Sequence, residues 1–395
     1  MSERLLPRYY WYQGVSTATL FQAVYFVYYG QRIGLSLATI LALQSYSTAL
    51  RAALDLPLGA LADRLSRRLC LVGAGTDVFL GAAVVLVWPS LAGAWAAETL
   101  FAVGGALRSG ADSALLYDTL RADGRLDLYP HAESRGQAMA SLGSGVAAIL
   151  GGLLAAVDLA LPYVVTLMTA AAGAALAWTL DERRIGDTPH AGAPRGRMRE
   201  AAAVAWRTHT IRWAIAVAML AVTASHVYFY LQQPYLQAVG IPLALFGVVF
   251  AATKALTALV SASAYRIDAA LGQRRAVALM TAVPACGLGT MAVVGVPAGA
   301  LLILTRGLLD GLWMPLVNVY LNRLTGSRLR ATMLSLQSVL ARLTLALTLA
   351  VLGLLTARLG LAPTLAAVAA VIALVGGWLV LLAPAAARTC FWRRI

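Results

Sequence analysis

Charge is scarce in this chain. Of its 395 residues only 12% are Asp, Glu, Lys or Arg, 60% are apolar, and the mean hydropathy is +0.76. No soluble domain of this length needs that; it describes a chain dissolved in lipid. Lysine occurs once, in Thr253-Lys254-Ala255, outside any G-x-x-x-x-G-K-S/T run, so there is no nucleotide-hydrolysing P-loop. His131, His190, His209 and His226 are scattered and the three cysteines are distant from them, so no cluster has zinc-ligand spacing, and neither metal nor cofactor is expected. Cys70, Cys286 and Cys390 sit at a helix end, within a helix and in the C-terminal tail, where a disulfide framework is not expected. The first apolar run is too long for a cleavable leader and lacks a small-residue cleavage site, so it is expected to stay as a helix. No constellation of catalytic residues emerges, and an enzyme is not expected.

What the chain does have is long apolar runs. Crossing roughly 30 Å of hydrocarbon takes about 20 helical residues. Twelve stretches qualify: 9–31, 36–59, 69–88, 94–117, 136–157, 162–180, 209–231, 242–265, 276–296, 298–322, 330–356 and 361–383. Aromatic ends such as Tyr9-Tyr10-Trp11-Tyr12 and Phe391-Trp392 fit interfacial anchoring.

The net charge of +14 is explained by where the basic residues fall. With the N-terminus inside, 23 of the 31 Lys and Arg lie in inner tails and loops, two (Arg32 and Arg358) in outer loops, and six within helices. That asymmetry places both termini in the cytoplasm. A nucleic-acid surface would not alternate loop by loop, so the expected partners are the bilayer, protons and a small-molecule solute, with no nucleic acid. A monomer in a bacterial or archaeal inner membrane is expected.

The longest polar stretch, roughly Asp181 to Thr208, carries two prolines, three glycines and six arginines and divides the segments six and six. The expected organisation is a half over 1–181, a cytoplasmic linker over 182–208 and a second half over 209–395. Internal matches support duplication. LDLPLGALADRLSRRL at Leu54 to Leu69 has a degenerate copy, SAYRIDAALGQRR, at Ser263 to Arg275; Val24-Tyr25-Phe26 matches Val227-Tyr228-Phe229. Tyr117-Asp118-Thr119-Leu120 likewise resembles Leu321-Asn322-Arg323-Leu324. An all-α membrane fold of twelve helices in two pseudo-twofold-related halves is the expected architecture.

The LDLPLGALADRLSRR run resembles the G-x-x-x-D-R-x-G-R-R signature of the major facilitator superfamily, with Ser66 where Gly is usual. SGADSALLYD, ending segment 4, and RATMLS, opening segment 11, resemble bacterial efflux-type permeases of that superfamily. The resemblance covers essentially the whole chain. It implies alternating access, with segments 1, 4, 7 and 10 lining a central cavity. It also implies a conformational latch: Gly59 for close helix approach, Asp63 against the start of segment 11, Arg64, Arg67 and Arg68 available to Asp118, and Asp268 as the second copy of Asp63. Topology charges in a solvated loop are the competing reading.

Ionisable residues within helices carry the rest, because each costs roughly 2.5 to 3.5 kcal/mol at the bilayer centre. Asp55, Asp77, Glu98, Asp112 and Asp310 face Arg51, Arg108, Lys254, Arg306 and Arg342. Arg51 and Asp55, Arg108 and Asp112, and Arg306 and Asp310 stand four residues apart on one helix face. Each acid reads either as a proton carrier or as half of a structural pair; Asp112 and Asp310 rank first as carriers, followed by Glu98 and His226. Lys254 and Arg342 have no partner one turn away and read as counter-ions, as anchors for an anionic solute, or as halves of an interhelical salt bridge. Gln22, Tyr25 and Tyr29 are expected on one face of segment 1, and His226, Tyr230 and Gln233, with Tyr228 beside them, in segment 7, as cavity wall or helix seam. Proton-coupled export of a small organic or amphipathic compound is the leading reading. Uptake of a nutrient such as a vitamin, sugar or organic anion, and a non-transporting sensor, are the alternatives.

Overall fold

The computed structural model of the chain describes residues 2–64, 66–182, 194–325 and 329–384. Among the described residues there is no strand; α-helices and three short 3-10 stretches make up the fold. The first half of the chain holds α1 (Ser2–Ser16), α2 (Tyr25–Gln31), α3 (Leu37–Arg64), α4 (Arg67–Val87), α5 (Leu91–Arg108), α6 (Ala111–Ala122), α7 (Tyr129–Val157) and α8 (Leu161–Trp178). The remainder holds α9 (Pro194–Arg207), α10 (His209–Ala238), α11 (Leu243–Leu271), α12 (Gln273–Val293), α13 (Thr305–Leu324), α14 (Arg330–Leu359) and α15 (Leu361–Leu381).

All twelve expected segments fall on helices, but three of them are not single α-helices. Segment 1 is α1, a 3-10 turn at Leu20–Ala23 and α2, interrupted where Val24 takes φ −138° and ψ 9°. Segment 4 is α5 and α6, parted at Gly110 with φ +76°, a left-handed conformation that glycine reaches without a Cβ clash. Segment 10 starts as a 3-10 stretch, Pro297–Leu304, before α13. Backbone groups freed inside a membrane need partners. In segment 1 the Leu20 N–H donates to Thr166 Oγ1 at 3.0 Å, and the Thr169 hydroxyl donates to Ala18 O at 2.7 Å.

Nine spans among the described residues are long and apolar enough to cross a bilayer. Segment 1 falls short because its break leaves two helices of 15 and 7 residues, and segments 2 and 4 because their interiors carry polar residues: Gln44, Arg51 and Asp55; Glu98, Arg108 and Asp112. Large apolar side chains point outward instead, Val157, Leu354 and Leu374 among them, the inverse of a water-soluble surface. The protein is a multi-pass membrane protein with its polar side chains turned inward.

Contacts divide the chain into two compact units, Met1–His190 with Pro242–Ala251, and Ala191–Ile241 with Ala252–Ile395. In the first, α4 packs on α5 and α8, α3 on α5, and α1 on α7 and α8. Gly104 makes the α4–α5 contact close, since a Cβ there would stand 2.9 Å from Asp77 Cβ. In the second, α12 packs on α15 and α13, and α10 on α13, α14 and α15. The polar stretch between the segments contains a helix that its proline and glycine content concealed. Pro194 supplies a compatible first residue and α9 lies on α14, burying Ala201 and Ala205.

Candidate functional site

In the first unit, polar groups gather around the break in segment 4. Arg108 ends α5 and Asp112 opens α6, so each charge stands at the helix terminus whose dipole it complements. Arg108 Nε is 4.0 Å from Asp112 Oδ2. Gln13 of α1 clamps both: its Oε1 accepts from Arg108 Nη2 at 3.1 Å and its Nε2 donates to Asp112 Oδ2 at 3.1 Å. Arg108 Nη1 donates to Ser16 O at 3.2 Å, the last carbonyl of α1 before segment 1 unwinds. The network continues through Tyr9, whose hydroxyl accepts from Gln13 and donates to Glu133 Oε2 at 3.3 Å, while Ser113 Oγ donates to Glu133 Oε1 at 2.7 Å. Sequence reading missed Tyr9, Gln13, Ser113 and Glu133. The first three carry no charge, and Glu133 appeared to precede segment 5, whereas α7 starts at Tyr129.

Glu98 lies elsewhere on α5 and is 4% exposed. Its Oε1 accepts from Gln44 Nε2 at 2.7 Å and Tyr29 Oη at 3.3 Å. No Lys or Arg among the described residues pairs with it. Tyr25 and Tyr29 share a face of α2, their rings 5.8 Å apart and edge-on. Gln22 does not extend that face, because the helical period stops at Val24; it lies in the 3-10 turn and accepts from Thr19.

In the second unit, Arg306 Nε is 3.3 Å from Asp310 Oδ2, both side chains nearly buried, and Arg306 Cζ sits 5.1 Å over the Phe229 ring. Lys254 and His226 lie within electrostatic range of this pair. Gly307 permits it: a Cβ there would come 2.8 Å from Thr253 O on α11. His226 and Tyr230 sit on one face of the unbroken α10 with ring centroids 6.4 Å apart, and His226 Nδ1 is 2.8 Å from Val222 O. Gln233, on the same face, is 1% exposed. Tyr228 is also buried and bonds Thr305 Oγ1 at 2.8 Å and Pro284 O at 3.2 Å, which makes it packing between α10, α12 and α13. Arg342 is half-buried in the middle of α14, in the same unit.

At the start of α4, Arg67 pairs with Asp118 and also donates to Ala114 O at 2.7 Å. Glu182 accepts from the Arg67 N–H at 2.8 Å and from the Ser66 hydroxyl. Ser66 itself caps α4 with extended φ of −140° and accepts from Leu69 N. The position therefore requires no left-handed residue in this chain, and the departure from Gly supplies a helix cap. Gly272, its counterpart in the second half, does take φ +75° before α12. Arg68 stacks its guanidinium 5.2 Å over Trp178, away from Asp118. Asp268 accepts from Tyr320 Oη at 2.6 Å. A Cβ at Gly59 would meet no described atom within 4 Å. The side chains of Asp63 and Arg64 lie outside those described.

A search of curated proteins finds no sequence relative of the chain. Solved structures with the same fold include the nucleoside transporter NupG, at TM-score 0.79 and 12% identity over 96% of this chain and 98% of that one. A bacterial homolog of the human lysosomal transporter Spinster, inward-facing and unoccupied, matches at 0.75 and 14% over 96% of both chains. A POT family transporter in complex with 5-aminolevulinic acid matches at 0.70 and 13% over 96% and 94%. The sequence profile of the Major Facilitator Superfamily matches residues 10–348. By that match, and by the fold the neighbours share, the chain belongs to the major facilitator superfamily.

Proposed function

We propose that the protein is a secondary active transporter that couples proton movement to export of a small organic compound by alternating access. The observation that carries proton coupling is Glu98: a carboxyl group inside the membrane, 4% exposed, hydrogen-bonded by a tyrosine and a glutamine and by no cation. A group placed so is costly as an anion and acceptable as a neutral acid, which is what a carrier that loads and unloads a proton requires. Asp112 and Asp310 each have an arginine partner, which favours positioning roles for them and brings Glu98 forward as the carrier. Since the chain has no P-loop, energy comes from a gradient.

The Arg67–Asp118 pair, braced by Glu182, joins the starts of α4 and the end of α6 at the inner side. It is the described part of a latch that holds one conformation and must open for the other. The charge asymmetry supports an inner membrane with both termini cytoplasmic. The solutes in the neighbours' names differ from one another, and a shared fold does not transmit one of them. Proton coupling is tested with Glu98→Gln in proteoliposomes: loss of pH-driven accumulation with solute binding retained supports it, and undiminished accumulation rejects it.

A further inference from the structure

Tyr163, near the start of α8, is fully enclosed in the first unit, at 0% exposure. Its ring is held from two sides: it stacks on Phe21 with centroids 4.7 Å apart and 6° between the planes, and it lies 4.5 Å from the Tyr28 ring. One turn on, Thr166 Oγ1 accepts from the Leu20 N–H, which ties α8 to the broken stretch of segment 1. The Tyr163 hydroxyl is sealed in the same way, yet it has no hydrogen-bond partner among the described residues. Buried polar groups are rarely left so, and each exception calls for a reason.

Glu98 supplies one. Tyr163 lies within electrostatic range of its carboxyl group, and the packing shows the link: the Tyr163 ring contacts Tyr28, Tyr28 neighbours Tyr29 at 6.5 Å, and Tyr29 donates to Glu98. The hydrogen bonds from Tyr29 Oη and Gln44 Nε2 both end on Oε1, and Oε2 accepts none from the described residues. Ser47 of α3 lies beside the carboxyl and donates to the Glu98 backbone carbonyl at 3.3 Å. The elements packed against α5 carry Arg51 and Asp55 on α3, Asp77 on α4 and Asp112 on α6, and none of these exerts a charge effect on Glu98. A protonated acid is satisfied by few partners, whereas a carboxylate has about four lone-pair sites and needs more donors once its proton leaves. Glu98 has a flexible side chain that can turn Oε2; Tyr163, wedged between two rings, stays in place.

We propose that Tyr163 is the positioning residue for proton release at Glu98: its hydroxyl donates to the Glu98 carboxylate once the proton has passed to water, and it keeps its own proton. The inference rests on the reading of Glu98 as the proton carrier and adds the group that sets its proton affinity. The experiment is an infrared titration of the full-length protein in liposomes, following the carboxylic-acid C=O stretch that Glu98→Gln removes. Tyr163→Phe keeps the ring and its stacking and deletes only the hydroxyl. It is expected to raise the midpoint of the Glu98 band by about half a pH unit or more, roughly a threefold gain in proton affinity, because the anion loses a donor and the neutral acid loses little. At acid pH, where Glu98 is neutral, the variant should unfold at no lower temperature than the wild type, since the deleted hydroxyl has no partner there. Tyr28→Phe deletes a buried hydroxyl bonded to Val85 O at 3.4 Å and should leave the midpoint in place.

An unchanged or lowered midpoint in Tyr163→Phe, or an equal rise in Tyr28→Phe, would overturn the assignment. Should Tyr163→Phe not fold, 3-fluorotyrosine at position 163 carries the test: its more acidic hydroxyl is a stronger donor and should lower the midpoint, and an unmoved midpoint overturns the assignment. The outcomes separate this inference from the reading beneath it. A Glu98 band that does not titrate removes both. Titration of Glu98 with no shift in Tyr163→Phe removes this inference alone. A shifted midpoint without pH-driven accumulation in proteoliposomes removes the transport reading alone.

Discussion

Neutralising the acid of each Arg–Asp pair should have unequal consequences, and the inequality follows from the hydrogen bonds. In Asp310→Asn the Arg306 guanidinium, its side chain 8% exposed, loses its one ionic partner and has no hydrogen bond to fall back on among the described residues. Leaving a buried charge uncompensated costs about 3 to 5 kcal/mol, and Lys254 is left near it. In Asp112→Asn the Arg108 guanidinium keeps Ser16 O and Gln13 Oε1, and its side chain is 27% exposed. The loss there is a weakened ion pair at 4.0 Å and a weaker acceptor for Gln13, about 1 to 2 kcal/mol. Asp310→Asn should therefore be the less stable variant by roughly 2 kcal/mol. Adding Arg306→Gln to Asp310→Asn should restore much of the stability, because the stranded charge is gone. Denaturant unfolding of the purified variants in one detergent measures all three. Equal losses at the two sites, or a double variant no better than Asp310→Asn, would refute the reasoning.

Glu98→Gln should change stability by less than about 1 kcal/mol, since it breaks no ion pair and an amide oxygen can still accept from Gln44 and Tyr29; a loss like that of Asp310→Asn would mean the carboxylate is structural. Ser66→Ala should cost about 1 kcal/mol through the lost cap, and Ser66→Gly less, both read by unfolding; no loss in Ala would leave the cap without a role. Asp118→Asn should impair flux far more than solute affinity, because it removes a contact of one conformation without touching Glu98 or Arg306; parallel loss of both would argue against a latch. A cysteine at the exposed Arg199 of α9 should react with impermeant reagents only from the cytoplasmic side, and labelling from outside intact cells would reverse the topology.

Helix positions were readable because twenty-residue apolar runs and the arginine-bearing loops between them are strong signals. The breaks were not, because an apolar run looks the same whether its backbone is helical or unwound. Gly110 was visible in the SGAD run, yet its left-handed backbone is decided by what packs around it. The 3-10 turn at Leu20–Ala23 depends on hydroxyls from Thr166 and Thr169, far along the chain. The same limit governed the charged residues. Spacing of four paired Arg108 with Asp112 and Arg306 with Asp310, and these do lie together. Which pair is saturated depends on Gln13, a neutral residue 95 positions from Arg108 that no charge pattern singles out. Glu98 looked like one acid among five until Tyr29 and Gln44, from other segments, were placed against it.

The most direct test of proton-coupled export is the lumenal pH of pyranine-loaded proteoliposomes when a solute that stabilises the protein is added outside. Exchange of solute for protons predicts lumenal alkalinisation with the wild-type protein and none with Glu98→Gln or in protein-free vesicles. Acidification specific to the wild-type protein, or the same response from wild type and Glu98→Gln, would contradict it.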